Sequence, residues 1–206
     1  MSDYKIKTLE YYDKNAEKFV EGTLESDVSN LYGHFEKYFQ KGQSILDLGC
    51  GAGRDTKYFL GKGFDVMAVD GSEVLCSYAA EFTGIEVRCL LFENLDYVKR
   101  FDGVWACASL LHVSKDQIKD VLTKVNRALK LEGILFTCFK YGDFEYEKDG
   151  RFFSNYTEKT IKSIINEESG FEIIEIFVTG DVREDRSDQR WVNVIARKFK
   201  TCERRL

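Results

Sequence analysis

Not one of the 206 residues is proline, so every motif that depends on proline is excluded. Long apolar runs are missing too: no segment approaches the roughly 20 residues of a membrane-spanning helix. Residues 1–10 mix charges without the apolar centre of a secretory signal. A cytoplasmic protein with no membrane partner is the expectation. The six cysteines, Cys50, Cys76, Cys89, Cys107, Cys138 and Cys202, lack any Cys-x-x-Cys spacing. This speaks against a zinc or redox centre, so no metal is expected and most cysteines read as reduced, small core residues. A basic excess is also lacking. Thirty Lys and Arg stand against 35 Asp and Glu, a net charge of -5, which argues against nucleic acid as a partner while leaving a local basic patch open.

What is present is ample for a core, with 44% hydrophobic and 14% aromatic residues. One domain over residues 1–206 fits that length, and no linker or repeat divides it. The first forty residues read as helical. Leu31, Tyr32, Phe35 and Phe39 recur at three-four spacing, and Tyr11, Tyr12, Ala16, Phe19 and Val20 suggest an earlier amphipathic segment, so residues 1–40 form a lid or extension. Over residues 41–206, seven β-rich runs (44–48, 65–69, 86–91, 103–108, 134–139, 172–178 and 191–197) alternate with helical patterns. The clearest helix covers 115–130, with Ile118, Val121, Leu122, Val125 and Leu129 on one face and Gly133 soon after its end. Such alternation predicts an α/β fold, a mostly parallel sheet with helices on both faces. The last two runs have no helical stripe between them and should pair as a hairpin, making one strand antiparallel.

The first strand runs into Asp47-Leu48-Gly49-Cys50-Gly51-Ala52-Gly53-Arg54-Asp55 and then a helix through Leu60. Alternating glycines permit a sharp turn and close backbone approach, and a helix start offers unpaired N–H groups to an anion. A dinucleotide fingerprint would need a glycine at Arg54 or Thr56, and no Gly-Lys-Ser or Gly-Lys-Thr completes a phosphate loop. Asp70 ends the next strand seventeen positions after Gly53. Its carboxylate either accepts ribose hydroxyls beside the loop or caps the helix that starts near Ser72.

These residues resemble the class I S-adenosylmethionine-dependent methyltransferases, whose first motif is an acid-leucine-glycine-x-glycine-x-glycine run. The Gly51-Ala52-Gly53-Arg54-Asp55 version is most similar to the small-molecule and tellurite-resistance-type branch. The resemblance implies a Rossmann-like doubly wound fold and S-adenosylmethionine as cofactor, leaving as S-adenosylhomocysteine. It places Asp47, Gly49, Cys50, Gly51, Gly53 and Arg54 at the donor, with Arg54 on the methionine carboxylate. Asp70, with Gly71 and Ser72, takes the ribose. Relatives often carry an acid for the adenine amino group where Leu91 stands here, so Phe92 is expected to stack on adenine, with Glu93 adding polar contacts. Ala106 and Ala108, at the end of the fourth strand, are expected at the cofactor, and similar enzymes wall the transfer site with the Ser109-Leu110-Leu111-His112 turn that follows.

On the acceptor side, His112 is either a catalytic group or a histidine fixing its loop. After the fifth strand, Lys140 and Tyr141 are the expected pocket residues, Tyr141 with a catalytic part. The mixed excursion through Arg151 either lines the pocket or is a solvated loop. Arg183, Arg186 and Arg190 alternate with acids, which usually self-pair in water; they are also spaced to clamp an acidic acceptor, with Arg183 and Arg186 as substrate contacts. The expected activity is methyl transfer to a small-molecule acceptor by a monomer or homodimer. Two alternatives stay open. One is an RNA or other nucleic-acid methyltransferase using the Arg183–Arg190 loop and Lys198, Lys200, Arg204 and Arg205, although the proline-bearing motifs of DNA amino- and cytosine-5-methylating enzymes are absent. The other is a catalytically inactive S-adenosylmethionine-binding sensor or partner subunit.

Overall fold

The computed structural model describes residues 2–183 and 186–199; Lys200, Cys202, Arg204 and Arg205 lie outside them. Three helices come first: α1 (Asp3–Lys14), α2 (Ala16–Leu24) and α3 (Ser29–Glu36). They are followed by β1 (Ser44–Leu48), α4 (Arg54–Gly61), β2 (Asp65–Asp70), α5 (Glu73–Thr83), β3 (Val87–Cys89), β4 (Phe101–Ala106), α6 (Ile118–Ala128) and β5 (Leu129–Lys140). The chain closes with β6 (Glu145–Lys148), β7 (Arg151–Ser154), α7 (Glu158–Lys162), β8 (Phe171–Gly180) and β9 (Arg190–Lys198). Seven strands make one sheet in the order β3-β2-β1-β4-β5-β9-β8. The first five run parallel, and β9 is antiparallel to both β5 and β8. The doubly wound sheet and its C-terminal hairpin are as expected.

Strand alternation builds the two helical layers. Leu46 and Leu48 of β1 and Val104 and Ala106 of β4 face a core closed by α6 through Val121, Leu122 and Val125. Ile45, Trp105 and Phe136 face the opposite core, closed by Leu31, Tyr32 and Phe35 of α3 and Phe59 of α4. The chain leaves β1 towards β2 on one side and returns at β4 on the other. This strand reversal opens a crevice at the carboxyl ends of β1 and β4, where open α/β sheets take ligands.

Three expectations need correction. The helix expected over 115–130 starts at Ile118, and Leu129 and Lys130 already belong to β5, because Leu129 pairs with Phe101. The stretch after β5 is a β-hairpin, β6 against β7. Its alternating side chains were obscured by charges on the exposed face. Cys89 is exposed rather than core.

Candidate functional site

Two cavities meet over the glycine loop. The smaller, about 110 Å³, is lined by Leu9, Leu75, Leu90, Leu91, Phe92 and Val113, with Asp70, Gly71, Glu93 and Lys5 as its other notable residues. The larger, about 200 Å³, is lined by Cys50, Arg54, Asp55, Lys140, Arg151 and Phe153, with the residues around Asp181 and Trp191 closing it. Tyr12, Phe19, Gly49, Gly51, Ala108 and His112 belong to both walls.

Backbone hydrogen bonds and close packing fix the loop's shape. Gly49 N–H and Cys50 N–H both donate to Val69 O, at 2.8 and 3.0 Å. Gly49 and Gly53 have φ of 80° and 85°; a Cβ on Gly49 would collide with Ser109, and one on Gly53 would sit 2.8 Å from Thr83 Cγ2. The glycines therefore serve packing as well as ligand approach. Ala108, just past β4, has φ of 51°. Backbone strain of this kind in a non-glycine residue collects at functional sites.

Asp70 sits at the mouth of the smaller cavity. Its Oδ2 accepts Gly51 N–H at 2.9 Å and its Oδ1 accepts Ser72 N–H at 2.9 Å, so it ties the loop to the next turn. It does not cap α5: Ser72 does, with Oγ accepting Leu75 N–H at 3.0 Å. Withdrawal from water raises the Asp70 pKa against three backbone N–H bonds that lower it. The carboxylate's roughly four lone-pair sites still leave room for a further donor. An apolar slot with one carboxylate at its mouth suits a nucleoside, with base in the slot and ribose at Asp70. Glu93 is engaged by Lys5 Nζ at 3.0 Å.

Arg54 opens the other side. Its Nε and Nη2 fork onto Asp55 at 2.6 and 3.1 Å. Asp55 also accepts Tyr32 Oη–H and Trp105 Nε1–H, both at 2.7 Å. The guanidinium is thus fixed in direction and keeps donors for a carboxylate. Asp47 lies below this network, buried, accepting Thr56 Oγ1–H at 2.6 Å; burial and the nearby Asp55 push its pKa well up.

His112 stands between the cavities. Phe152 O can only accept, at 2.6 Å from Nδ1, so Nδ1 carries the proton and Nε2 accepts the Tyr12 hydroxyl at 2.8 Å. Burial pushes the imidazole down to about 4, and Arg151 and Lys140 act the same way. It is neutral near pH 7. Burial likewise pushes Tyr12 up to about 12, so its phenol stays protonated.

The helices at the start of the chain cover the site. Lys5, Leu9 and Tyr12 of α1 and Phe19 of α2 line the cavities, and Ser72 Oγ–H donates to Asp13 at 2.5 Å. In the sequence, Tyr12 carries only an amphipathic spacing signal. Neighbouring aromatics at residues 11 and 12, followed by Phe19, were the signal available. Phe153, on the hairpin, was also missed as a wall residue.

Most of the residues singled out in the sequence come together here: Gly49, Cys50, Gly51, Arg54, Asp70, Gly71, Phe92, Glu93, Ala108, His112, Lys140, Arg151, Arg183 and Arg186 all line one or both cavities. Asp47, Gly53, Ser72, Ala106 and Tyr141 line neither. Ala106 is fully buried in the core beneath the sheet. Tyr141 follows Lys140 directly, so alternation turns it to the other face, where its hydroxyl donates to Glu158 at 2.8 Å and Arg190 covers its ring at 4.4 Å. Arg183 forks onto Asp181 at 2.8 and 2.6 Å, self-paired yet on the cavity wall. Among the described residues no group of three or more His, Cys, Asp or Glu is arranged to hold a metal ion, and no helix is long and apolar enough to cross a membrane.

Known proteins resemble this chain in part of its sequence and in its fold. A family model described as "Methyltransferase domain" matches residues 45–133, the span from β1 to β5. YqeM of Bacillus subtilis (strain 168), which bears a methyltransferase name, is 35% identical over 103 residues, covering 47% of this chain and 41% of that one. The (S)-coclaurine N-methyltransferase of Papaver somniferum is 27% identical over 136 residues, 60% of this chain and 38% of that one. The chain thus spans about two fifths of the length of these relatives. Among solved structures, the Burkholderia thailandensis 1,6-didemethyltoxoflavin-N1-methyltransferase, with bound 1,6-didemethyltoxoflavin and S-adenosylhomocysteine, superposes with a TM-score of 0.75 at 20% identity. That match covers 97% of this chain and 91% of that one. Residues 45–133 thus match a methyltransferase-domain model, and the chain shares the fold of the Burkholderia enzyme.

Proposed function

We propose that this protein transfers a methyl group from S-adenosylmethionine to a small-molecule acceptor held in the larger cavity. The observation that carries the reading is the pair of cavities meeting across Gly49 and Gly51, one shaped for a nucleoside and one rich in fixed polar groups. The small-molecule substrates named for the Papaver and Burkholderia relatives support the same acceptor class, as does the Gly51-Ala52-Gly53-Arg54-Asp55 resemblance to a small-molecule branch.

In this reading Asp70 holds the ribose, Leu91 and Phe92 hold the base, and Arg54 holds the amino-acid carboxylate. When bound, S-adenosylmethionine supplies an electrophilic methyl on a sulfonium that leaves as a neutral thioether. The chain's work is therefore mainly positioning, which is worth roughly 7–11 kcal/mol of barrier. Tyr12, Phe19 and His112 form the neck through which an acceptor atom reaches the donor side. His112 orients the Tyr12 hydroxyl at that neck. With its Nε2 lone pair already occupied and its pKa near 4, it serves as a positioning residue rather than a base.

The test is a labelled methyl-donor screen against separate metabolite and RNA pools. Label is expected in the metabolite fraction. Label confined to RNA would overturn the acceptor class, and failure of the purified protein to bind S-adenosylmethionine would overturn the whole reading.

A further inference from the structure

Five cations, Arg54, Lys140, Arg151, Arg183 and Arg186, line the larger cavity against two acids, Asp55 and Asp181. Both acids are already engaged: Arg54 forks onto Asp55 and Arg183 onto Asp181. Lys140 and Arg151 differ. Lys140 Nζ lies 4.2 Å from the Phe153 ring centroid and 3.3 Å from the Tyr146 hydroxyl, neither of them an anion. Arg151 packs its guanidinium 4.1 Å over the Tyr11 ring. Asp149 approaches it only to 3.9 Å; the Arg151 side chain is 17% exposed, and Arg151 Nε is buried with no hydrogen-bond partner. Among the described residues no carboxylate hydrogen-bonds to either cation.

Two largely desolvated cations, with no hydrogen-bonded anion and only the exposed Asp149 at 3.9 Å from one of them, leave a positive field that is weakly compensated. Its effect is visible on Lys140, whose ammonium is pushed down to about 8, first by burial and then by Arg151, Arg186, Arg183 and Lys148. A bound anion would remove that penalty. It would also satisfy the free Nε in a charge-assisted hydrogen bond, the geometry in which guanidinium recognises carboxylate or phosphate.

We propose that Lys140 and Arg151, with Arg186 on the same wall, form a subsite for an anionic group, a carboxylate or phosphate, on the methyl acceptor. The proposal rests on the reading of the larger cavity as the acceptor side. The anion is the anchor and not the methylated atom, because two cations on an oxyanion hold its lone pairs and weaken it as a nucleophile. Phe153, Leu111 and Trp191 on the same wall pack the organic part. The atom that receives the methyl then lies towards Tyr12 and His112.

The experiment is calorimetric titration of protein saturated with S-adenosylhomocysteine, using phenyl phosphate, benzoate and the neutral benzamide as probes. One or both anions are expected to bind at least about tenfold more tightly than benzamide, and the tighter of them identifies the group. Lys140→Met and Arg151→Gln should each weaken the anion roughly tenfold or more, with Lys140→Arg restoring it. Arg190→Met, which alters a guanidinium outside the cavity, should change nothing. Affinity for S-adenosylhomocysteine in each variant checks that fold and donor site survive. Anions no tighter than benzamide, or variants that bind them like wild type, overturn the subsite. Loss of S-adenosylhomocysteine binding by the wild type overturns the methyl-transfer reading instead, and the anion titration without it still reads the subsite alone.

Discussion

The two cavities share a neck but are built from different kinds of sequence. With Lys5, Leu9 and Tyr12 of α1 and Leu75 of α5 closing it, the smaller takes Asp70 and the centre of its base slot from short stretches at the ends of consecutive parallel strands: 49–51, 70–71 and 90–93. Their places follow from strand order alone. The larger draws on α2, the turn before α3, β5, the β6–β7 hairpin and the segment joining β8 to β9, pieces as far apart in the chain as Phe19 and Arg186. One side is a property of the fold's framework, and the other of what this chain adds to it. In the proposed methyl-transfer reading, donor binding belongs to the first and acceptor choice to the second.

That division is most exposed at Asp70. If the framework side is the donor site, Asp70→Ala should weaken S-adenosylhomocysteine by about 1.5–3 kcal/mol, roughly 10- to 150-fold in Kd, the range for hydrogen bonds to a charged group. Asp70→Asn, which keeps one acceptor oxygen, should lose less. Calorimetry reads both. An Asp70→Ala protein that binds as tightly as wild type would leave the carboxylate with only its loop-tying role through Gly51 and Ser72, and the comparison would collapse.

The same division explains what could be read in the sequence. All seven strands of the main sheet, and the hairpin that turns one of the last two antiparallel, were legible because period-two runs of Val, Ile and Phe are local signals. Gly49, Gly51 and Asp70 were legible because a turn at a strand end reports its own position. Tyr141 was misplaced by one step of alternation, since nothing local tells which face of β5 looks into the crevice. Arg151 was legible only as one charge in a mixed excursion. Its place depends on β7 folding back on β6 and on α1 packing against it, with Phe152 N–H donating to Thr8 Oγ1 at 3.1 Å. Tyr12 is a contact over 100 residues of separation, a distance at which a single sequence carries no pairing signal.

His112 tests the neck from the side of stability. Its pKa of about 4 lies below the ordinary 6.5, so between those values the unfolded chain binds the proton and the folded chain does not. The stabilisation is complete above about pH 6.5 and is lost as pH falls towards 4, at up to about 1.4 kcal/mol per pH unit. Denaturant unfolding of wild type and His112→Asn across pH 4–7 should converge as pH drops. Parallel curves would mean the imidazole is not held neutral by its surroundings, and the Tyr12 geometry at the neck would lose its support.

The smallest expected effect separates Tyr12 from Tyr141, two phenols that differ in whether they reach the crevice. Tyr12→Phe removes the hydroxyl that His112 orients and should cost about 0.5–1.5 kcal/mol in turnover, roughly two- to tenfold, with little change in S-adenosylhomocysteine affinity. Tyr141→Phe removes only the bond to Glu158 on the far face and should leave kcat and KM unchanged. Steady-state kinetics on the acceptor found by the labelling screen decides between them. If Tyr141→Phe lowers kcat while Tyr12→Phe does not, the working side of the β5 end is the opposite face, and the acceptor belongs with Glu158 and Arg190 instead of Lys140 and Arg151.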